Sequence, residues 1–192
     1  MDLQTLVQKS RSYRRFDETY RIEGDTLRAL IQLAQFSPTG NNMQPLKFWL
    51  SNTPETNALI FPHLGWAGSL KDWKGPDEGE RPTAYIIILG DTDIQINFGV
   101  DYGIAAQSIM LGAAEMGLGG CMIGSARRED LRIDLGIPER YKVLLVLALG
   151  KPTEVVVTEP IGEDGKVRYY RDAASVHHVP KRSLDELILH DV

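Results

Sequence analysis

The sequence predicts an α+β or mixed α/β layer structure. Amphipathic segments with helical spacing alternate with short apolar, strand-like segments, and the last part of the chain carries the turn signal of a hairpin. With 192 residues, 43% of them hydrophobic, residues 1–192 are most simply one domain with a substantial core. The sequence contains no repeat, low-complexity tract or interdomain linker.

Six segments have the pattern of a helix. The clearest has apolar residues at i, i+3, i+4 and i+7, which is the spacing of one helix face, and these are Leu27, Leu30, Ile31 and Ala34. The longest, residues 101–117, is largely apolar and is predicted to lie at the centre of the fold. The predicted helices are DLQTLVQ (2–8), DTLRALIQLAQF (25–36), ETNALIFPHL (55–64), DYGIAAQSIMLGAAEMG (101–117), RREDLRIDLG (127–136) and a short helix after residue 182.

Four apolar segments are predicted to be strands. The continuous isoleucine run of one of them suggests that both of its faces are covered. In EDGKVRYYRD (163–172), Asp164-Gly165 indicates the bend of a hairpin. Residues 65–82 are predicted to be a long loop with two tryptophans, Trp66 and Trp73, which either cover a ligand or pack into the core. The predicted strands are LKFWLS (46–51), TAYIIIL (83–89), GGCMIGS (119–125) and VLLVLALG (143–150).

Charge and composition exclude several classes of protein. A net charge of −5 argues against general nucleic-acid binding, which needs a broad basic surface. The single Cys121 excludes an intrachain disulfide and a multi-cysteine metal site. The N-terminus has no secretory signal, and the longest apolar runs are too short to span a bilayer, so no membrane partner is expected. A cytoplasmic location fits these features.

Three familiar kinds of site are not supported by the residues. In MGLGGCMIG, Gly117 and Gly119 begin a G-x-G-x-x-G pattern, but its third position is Met122 and the glycines precede a strand instead of following one. A hydrolytic site built on the pair His177-His178 is not supported, because adjacent residues of a strand point to opposite faces. Cys121 lies in an apolar run, which favours a buried structural thiol, and no metal-ligand set can be assembled.

Two polar clusters remain as candidate sites. SRSYRRF (10–16) concentrates arginines with Ser12, a combination suited to a phosphate, and Lys181-Arg182 offers a second basic pair that could converge on the same anion. A solvated charged surface is the alternative. SPTGNNMQP (37–45) concentrates hydroxyl and amide groups that can bind a heterocycle or a ribityl chain, although turn chemistry also explains its composition.

Together these segments resemble the nitroreductase family, flavoproteins that bind FMN. The resemblance follows the family's order over nearly the whole chain, which is more specific than any single motif. The similar segments are SRSYRRF (10–16), SPTGNNMQPLKFWL (37–50), DYGIAAQSIMLGAAEMGLGGCMIG (101–124) and HHVPKRSLDELI (177–188). Leu46 stands where the family often has Trp, Thr39 where Ser is common, and Gly124 where some members have an acid.

The resemblance implies a central, mostly antiparallel mixed sheet flanked by helices. It also implies a homodimer with FMN at the interface, which would account for the apolar helix 101–117 as well as a monomer's core would. The FMN-binding positions that it implies are Arg11, Ser12 and Arg14 with Lys181 or Arg182 for the phosphate and pyrimidine, Pro38, Thr39, Asn42 and Gln44 from the other subunit, and Met122, Ile123 and Gly124 beside the flavin ring.

The implied activity is an oxidoreductase that passes electrons from NAD(P)H through bound FMN to a small acceptor such as a nitroaromatic or a quinone. No side chain is then required as a covalent catalyst, because the flavin carries the chemistry. Two alternatives stay open: another flavin reaction on the same fold, such as reductive dehalogenation, and a non-catalytic protein that binds or senses a flavin or another phosphorylated ligand.

Overall fold

The computed structural model describes residues 1–191 and confirms the α+β class, with all six predicted helices and all four predicted core strands in place. The helices are α1 (Leu3–Lys9), α2 (Gly24–Gln35), α3 (Pro54–Ile60), α4 (Asp101–Glu115), α5 (Arg128–Asp134) and α6 (Leu184–Leu187). The strands are β1 (Phe16–Asp17), β2 (Leu46–Ser51), β3 (Ala84–Asp91), β4 (Gly119–Ile123), β5 (Tyr141–Pro152), β6 (Val156–Pro160), β7 (Tyr170–Arg171) and β8 (His177–Lys181).

The main sheet is antiparallel and is built around β5. Its strand order is β1-β5-β3-β2, and β4 pairs with β5 on the side away from β3. A second, smaller sheet has the order β6-β8-β7, in which β6 and β8 are parallel and β7 and β8 are antiparallel. Because β6 continues directly from β5, the small sheet lies near the end of β5 where β1 pairs.

Both faces of β3 are covered, as its isoleucine run predicts. Ile86 and Ile88 belong to the core cluster beneath α2 and α4, whereas Tyr85, Ile87 and Leu89 belong to a second cluster with residues of α3 and α5. Successive side chains of a strand point to opposite faces, so each face of β3 joins one of these two clusters. The apolar helix α4 contributes Ala105, Ala106, Ile109 and Ala113 to the first cluster, so the fold of one chain accounts for much of its apolar character.

The predicted hairpin around Asp164-Gly165 is wrong. The bend itself forms, with Gly165 at a φ of 66° and its N–H donating to the Gly162 carbonyl oxygen at 2.9 Å. The strands on either side of it, β6 and β7, do not pair with each other. Both pair with β8 instead, β6 in parallel and β7 antiparallel. Local turn chemistry therefore predicts the bend but not the strands that flank it.

The loop over residues 65–82 packs against the body of the protein. Trp66 is 8% exposed and belongs to the second core cluster. Two guanidinium groups lie near the Trp73 ring, with Arg171 at 4.6 Å and Arg15 at 6.0 Å from its centroid. Core packing thus accounts for Trp66, whereas Trp73 both packs against the second core cluster and makes cation–π contacts. Among residues 1–191, no helix combines the length and the apolarity needed to cross a membrane.

Candidate functional site

The N-terminal arginine segment is fixed against the sheet by β4. Ser12 forms a parallel bridge with Gly120, and the Tyr13 N–H donates to the Gly120 carbonyl oxygen at 2.9 Å. This close approach requires glycine at the preceding position, since a Cβ at Gly119 would lie 2.5 Å from Tyr13 Cδ2. The segment therefore runs beside β4 and brings its arginines next to Met122.

An open pocket of about 340 Å³ lies where this segment, β4, α4 and β8 meet. Its size falls within the range of small-molecule sites. Three cations line it, and none of its described lining residues is acidic, so the pocket favours an anionic ligand. The lining residues are Ser10, Arg11, Ser12, Arg14, Gln107, Met110, Met122, Tyr169, His177, Val179 and Lys181. We call this the anion pocket.

Arg14 is the most constrained of the three cations, with 8% of the residue exposed. One of its terminal nitrogens lies 3.2 Å from the Ser12 carbonyl oxygen and 3.3 Å from His177 Nε2. Its guanidinium lies 4.9 Å from the centroid of the Tyr169 ring, in cation–π contact. Its Nε is buried and has no hydrogen-bond partner among residues 1–191, so the fork retains an unused donor.

His177 is neutral and completes the wall beside Arg14. Burial, together with the charges of Arg14 and Arg171, lowers the pKa of His177 to about 4. Because an arginine only donates, His177 Nε2 must accept, and the proton of the neutral ring is then on Nδ1. That Nδ1 is buried without a partner in the described part of the chain.

These observations fit a bound phosphate-bearing group such as FMN. Unused donors are Arg11 Nε, Arg14 Nε and His177 Nδ1, and buried donors without partners are uncommon in a folded protein. Arg11 is oriented by a hydrogen bond from its guanidinium to the Val7 carbonyl oxygen at 2.6 Å. Lys181 lines the same pocket and makes no ion pair within the described chain.

The pocket brings together five of the residues predicted from the sequence: Arg11, Ser12, Arg14, Met122 and Lys181. Three other predicted residues, Ile123, Gly124 and Arg182, do not line the pocket. Ile123 is 3% exposed and packs in the second core cluster, and Gly124 lies just beyond β4. Arg182 is outside the pocket and pairs with Glu186 at 3.2 Å. Of the two basic residues Lys181 and Arg182, only the first is placed beside Arg14.

The four remaining predicted residues, Pro38, Thr39, Asn42 and Gln44, lie outside the anion pocket of their own chain. Their loop is attached to the start of α4, where the Gly40 N–H donates to Asp101 at 3.0 Å. Gln107, which lines the pocket, is six residues further along α4, or ~9 Å along the helix axis. Asn42 and Gln44 have φ values of 54° and 52°, an unusual backbone for residues other than glycine.

Sequence reasoning missed several residues of the pocket wall. His177 and Val179 share one face of β8 with Lys181, so period-two spacing from the basic residue would have found them. On α4, Gln107 is a polar residue in an apolar helix, and Met110 lies one turn further on. Tyr169 has no comparable signal, because it precedes β7 in an irregular segment.

A buried ion pair between Glu154 and Arg171 holds the backbone of Arg14 in place. The Glu154 carboxylate, with 1% of its side chain exposed, accepts from the Arg14 backbone N–H and from the Arg171 guanidinium, the latter at 3.0 Å. Arg171 in turn packs on Trp73. His178 faces away from His177, as strand alternation predicts, and stacks on Tyr170 with ring centroids 4.7 Å apart.

Other chemistry is not indicated at this site. Cys121 is 5% exposed, and burial raises the pKa of its thiol, which agrees with the predicted structural role. Over residues 1–191, no group of three or more His, Cys, Asp or Glu side chains is arranged to hold a metal ion.

The chain is similar in sequence to known flavoprotein and nitroreductase sequences. The model of the Nitroreductase family matches residues 7–151. An NADPH-flavin oxidoreductase of Vibrio harveyi is 39% identical over 71 residues, which are 36% of this chain and 30% of that protein. The match thus spans less than a third of that relative's length.

Solved structures with the same fold cover more of the chain. A nitroreductase family protein of Streptococcus pneumoniae TIGR4 aligns with a TM-score of 0.72 at 17% identity, covering 99% of this chain and 100% of that one. One from Clostridium novyi NT has a TM-score of 0.65 at 19% identity, covering 97% and 98%. An FMN-dependent nitroreductase of Clostridium difficile R20291 has a TM-score of 0.64 at 21% identity, covering 79% and 88%.

Proposed function

The chain belongs to the nitroreductase family, and from that premise we propose that it is an FMN-dependent oxidoreductase that passes electrons from NAD(P)H to a small acceptor such as a nitroaromatic or a quinone. The observation that carries the proposal is the cluster of Arg11, Arg14 and Lys181 around one pocket that lacks an acidic residue among its described walls. Two of the relatives named above, the Vibrio harveyi NADPH-flavin oxidoreductase and the FMN-dependent nitroreductase of Clostridium difficile R20291, support flavin-dependent oxidoreduction.

Different residues of the pocket would bind different parts of the cofactor. Arg11, Arg14 and Lys181 would hold the phosphate, and the unused donor of His177 would meet an acceptor oxygen of the same ligand. Met122, which is 37% exposed, would lie against the apolar ring system. Bound FMN would supply the redox chemistry, taking electrons from NAD(P)H and giving them to the acceptor.

Absorbance spectroscopy tests the proposal directly. We expect the purified protein, as isolated or after addition of FMN, to show the visible flavin bands, because the pocket supplies three cations to one phosphate. Anaerobic addition of NADH or NADPH should bleach these bands, and a nitroaromatic or quinone should restore them.

Two outcomes would contradict the proposal in different ways. A protein that stays colourless and takes up no added FMN would overturn flavin binding altogether. A coloured protein that neither nicotinamide nucleotide bleaches would instead favour a protein that binds or senses the flavin without turning it over.

A homodimer is part of the proposal, with the loop over residues 37–44 of one chain completing the anion pocket of the other. That loop is exposed, is fixed by Asp101 and lies outside the pocket of its own chain. Large apolar side chains near it are also exposed, with Phe36 at 84%, Ile96 at 77% and Val100 at 72%. Burial of such side chains is the usual driving force of association. We further propose that residues 1–192 act as one domain in the cytoplasm.

Mixing two variants tests the shared site. Arg14→Ala and Asn42→Ala should each weaken FMN binding, one from within the pocket and one from the partner. When the two are mixed and allowed to exchange subunits, the hybrid dimer contains one site that lacks both changes, so FMN retention should rise above that of either variant alone. Retention that equals the average of the separate variants, or a monomer by light scattering, would contradict the dimer.

A further inference from the structure

A second cavity lies apart from the anion pocket. It has a volume of about 120 Å³, is partly open to solvent and is bounded by the segment after β1, by α3 and by the residues that lead into β3. It shares no lining residue with the anion pocket. At this size it cannot hold a flavin or a nicotinamide nucleotide, but it is close to the ~150 Å³ cavity that accommodates a benzene molecule.

Two buried residues that carry hydroxyl groups line this cavity. Thr83 is 8% exposed, and its Oγ1 has no hydrogen-bond partner within residues 1–191. Tyr85 is 1% exposed, and burial followed by the charge of Glu18 raises the pKa of its phenol, so the hydroxyl keeps its proton and can donate. Tyr85 lines the cavity together with Thr83, Glu18 and Arg81.

The charges around the cavity favour an anion. The Arg81 guanidinium packs on the Phe61 ring at 4.6 Å from its centroid, and its Nε is buried without a partner in the described chain. Arg21 also lines the cavity and makes no ion pair within residues 1–191. The single carboxylate, Glu18, already accepts from two backbone N–H groups, those of Gly79 and Arg81. The cavity lining therefore carries two guanidinium groups and one carboxylate, and that carboxylate is already hydrogen-bonded.

We propose that this cavity binds a small organic monocarboxylate of about four to eight heavy atoms, as its volume allows. Its planar carboxylate has the four acceptor positions that Thr83, Tyr85 and Arg81 can satisfy as donors. A short apolar portion would lie against the Phe61 ring. The site is independent of the flavin, since it uses none of the residues of the anion pocket.

Butyrate and butyramide are suitable probes, because they have nearly the same size and only the first carries a charge. In an amide-detected NMR titration of the whole protein, we expect butyrate to give saturable shifts around residues 81–85, with a dissociation constant near the millimolar range or below. Butyramide should bind at least about tenfold more weakly, since it lacks a charge-assisted partner for Arg81.

Variants separate this site from the anion pocket. Thr83→Val should weaken butyrate binding about tenfold, and it should leave the unfolding midpoint unchanged or higher because the hydroxyl that it removes has no partner. Arg14→Ala serves as the control and should leave butyrate binding unchanged. The proposal is overturned if the shifts do not saturate, if both probes bind alike, or if Thr83→Val binds butyrate as the parent does.

Discussion

Replacing Arg14 with alanine is expected to weaken FMN binding about 10- to 150-fold, which corresponds to the loss of one charge-assisted contact worth about 1.5–3 kcal/mol. Arg14 is the cation of the anion pocket that the structure holds most firmly. It is buried, it is hydrogen-bonded to the Ser12 carbonyl oxygen and to His177, and it lies over the Tyr169 ring. A group positioned in this way loses little side-chain entropy when a phosphate binds.

Arg182→Ala is the matched control for this change. It removes the same charge from a residue next to Lys181, but Arg182 is half-exposed and is paired with Glu186 outside the pocket. We expect it to leave the FMN dissociation constant unchanged and stability within about 1 kcal/mol. Arg14→Lys should give an intermediate loss, because it keeps the charge but not the planar fork or the contact with Tyr169.

Equilibrium titration of the apoprotein with FMN, followed by quenching of flavin fluorescence, measures these differences. Thermal unfolding of each variant without FMN shows separately whether Arg14 also supports the fold. If Arg14→Ala binds FMN as tightly as the parent, or if Arg182→Ala loses as much affinity as Arg14→Ala does, the phosphate role of Arg14 is wrong.

The spacing of hydrophobic residues along the sequence predicts most of the fold, because it reflects which side chains are buried. The period of α2 and the isoleucine run of β3 identify a half-buried helix and a strand covered on both faces, and the structure places both as expected. The hairpin failed for the same reason. The Asp164-Gly165 bend is a local property, whereas the pairing of β8 with β6 depends on a return of the chain that no turn residue encodes.

The site was predictable where its chemistry is concentrated in the sequence. Arg11, Ser12 and Arg14 lie within four positions of one another, and Lys181 belongs to a second basic element, so the resemblance to a family could indicate all four. His177 was not among the predicted residues. Its place on the same strand face as Lys181 follows from period-two spacing, but its contact with Arg14 joins residues 163 positions apart and has no local signal. Tyr169 is likewise defined only by its contact with Arg14.

Helix α4 shows how one property of a sequence can have two explanations. Its apolar character agrees with a dimer interface and with the core of one chain. The structure packs Ala105, Ala106 and Ile109 of this helix into the core beneath α2. The support for a dimer therefore comes from other residues, namely the exposed Phe36 and its neighbours beside the loop over residues 37–44.

Replacing Glu154 with alanine is expected to lower the free energy of unfolding by about 3–5 kcal/mol, the usual cost of removing one partner of a buried ion pair. The side chains of Glu154 and Arg171 are 1% and 11% exposed. Without the carboxylate, the Arg171 guanidinium stays largely buried against Trp73 with no acidic partner in the described chain, and the Arg14 backbone N–H loses its acceptor. Since domains are stable by only about 5–15 kcal/mol, this loss should be obvious in a urea titration.

Glu80→Ala provides the comparison, because Glu80 pairs with Arg15 on the same segment at 3.1 Å but with 38% of its side chain exposed. Both side chains of this pair are partly exposed, with Arg15 at 23%, and a pair this close to solvent contributes about 1 kcal/mol or less. Glu154→Gln tests the chemistry more finely. The glutamine amide has only one oxygen, whereas two groups donate to Glu154. Either the Arg14 N–H or the Arg171 guanidinium would therefore face the amide NH₂.

The double change Glu154→Ala with Arg171→Ala separates the ion pair from the packing around it. Removing both charges leaves no unpaired guanidinium in a buried site, so the double variant should be more stable than Glu154→Ala alone. FMN affinity should fall in Glu154→Ala as well, because Arg14 enters the anion pocket from a backbone that Glu154 anchors. A stability loss below about 1 kcal/mol for Glu154→Ala, or strict additivity of the two changes, would show that this pair does not hold the wall of the pocket in place.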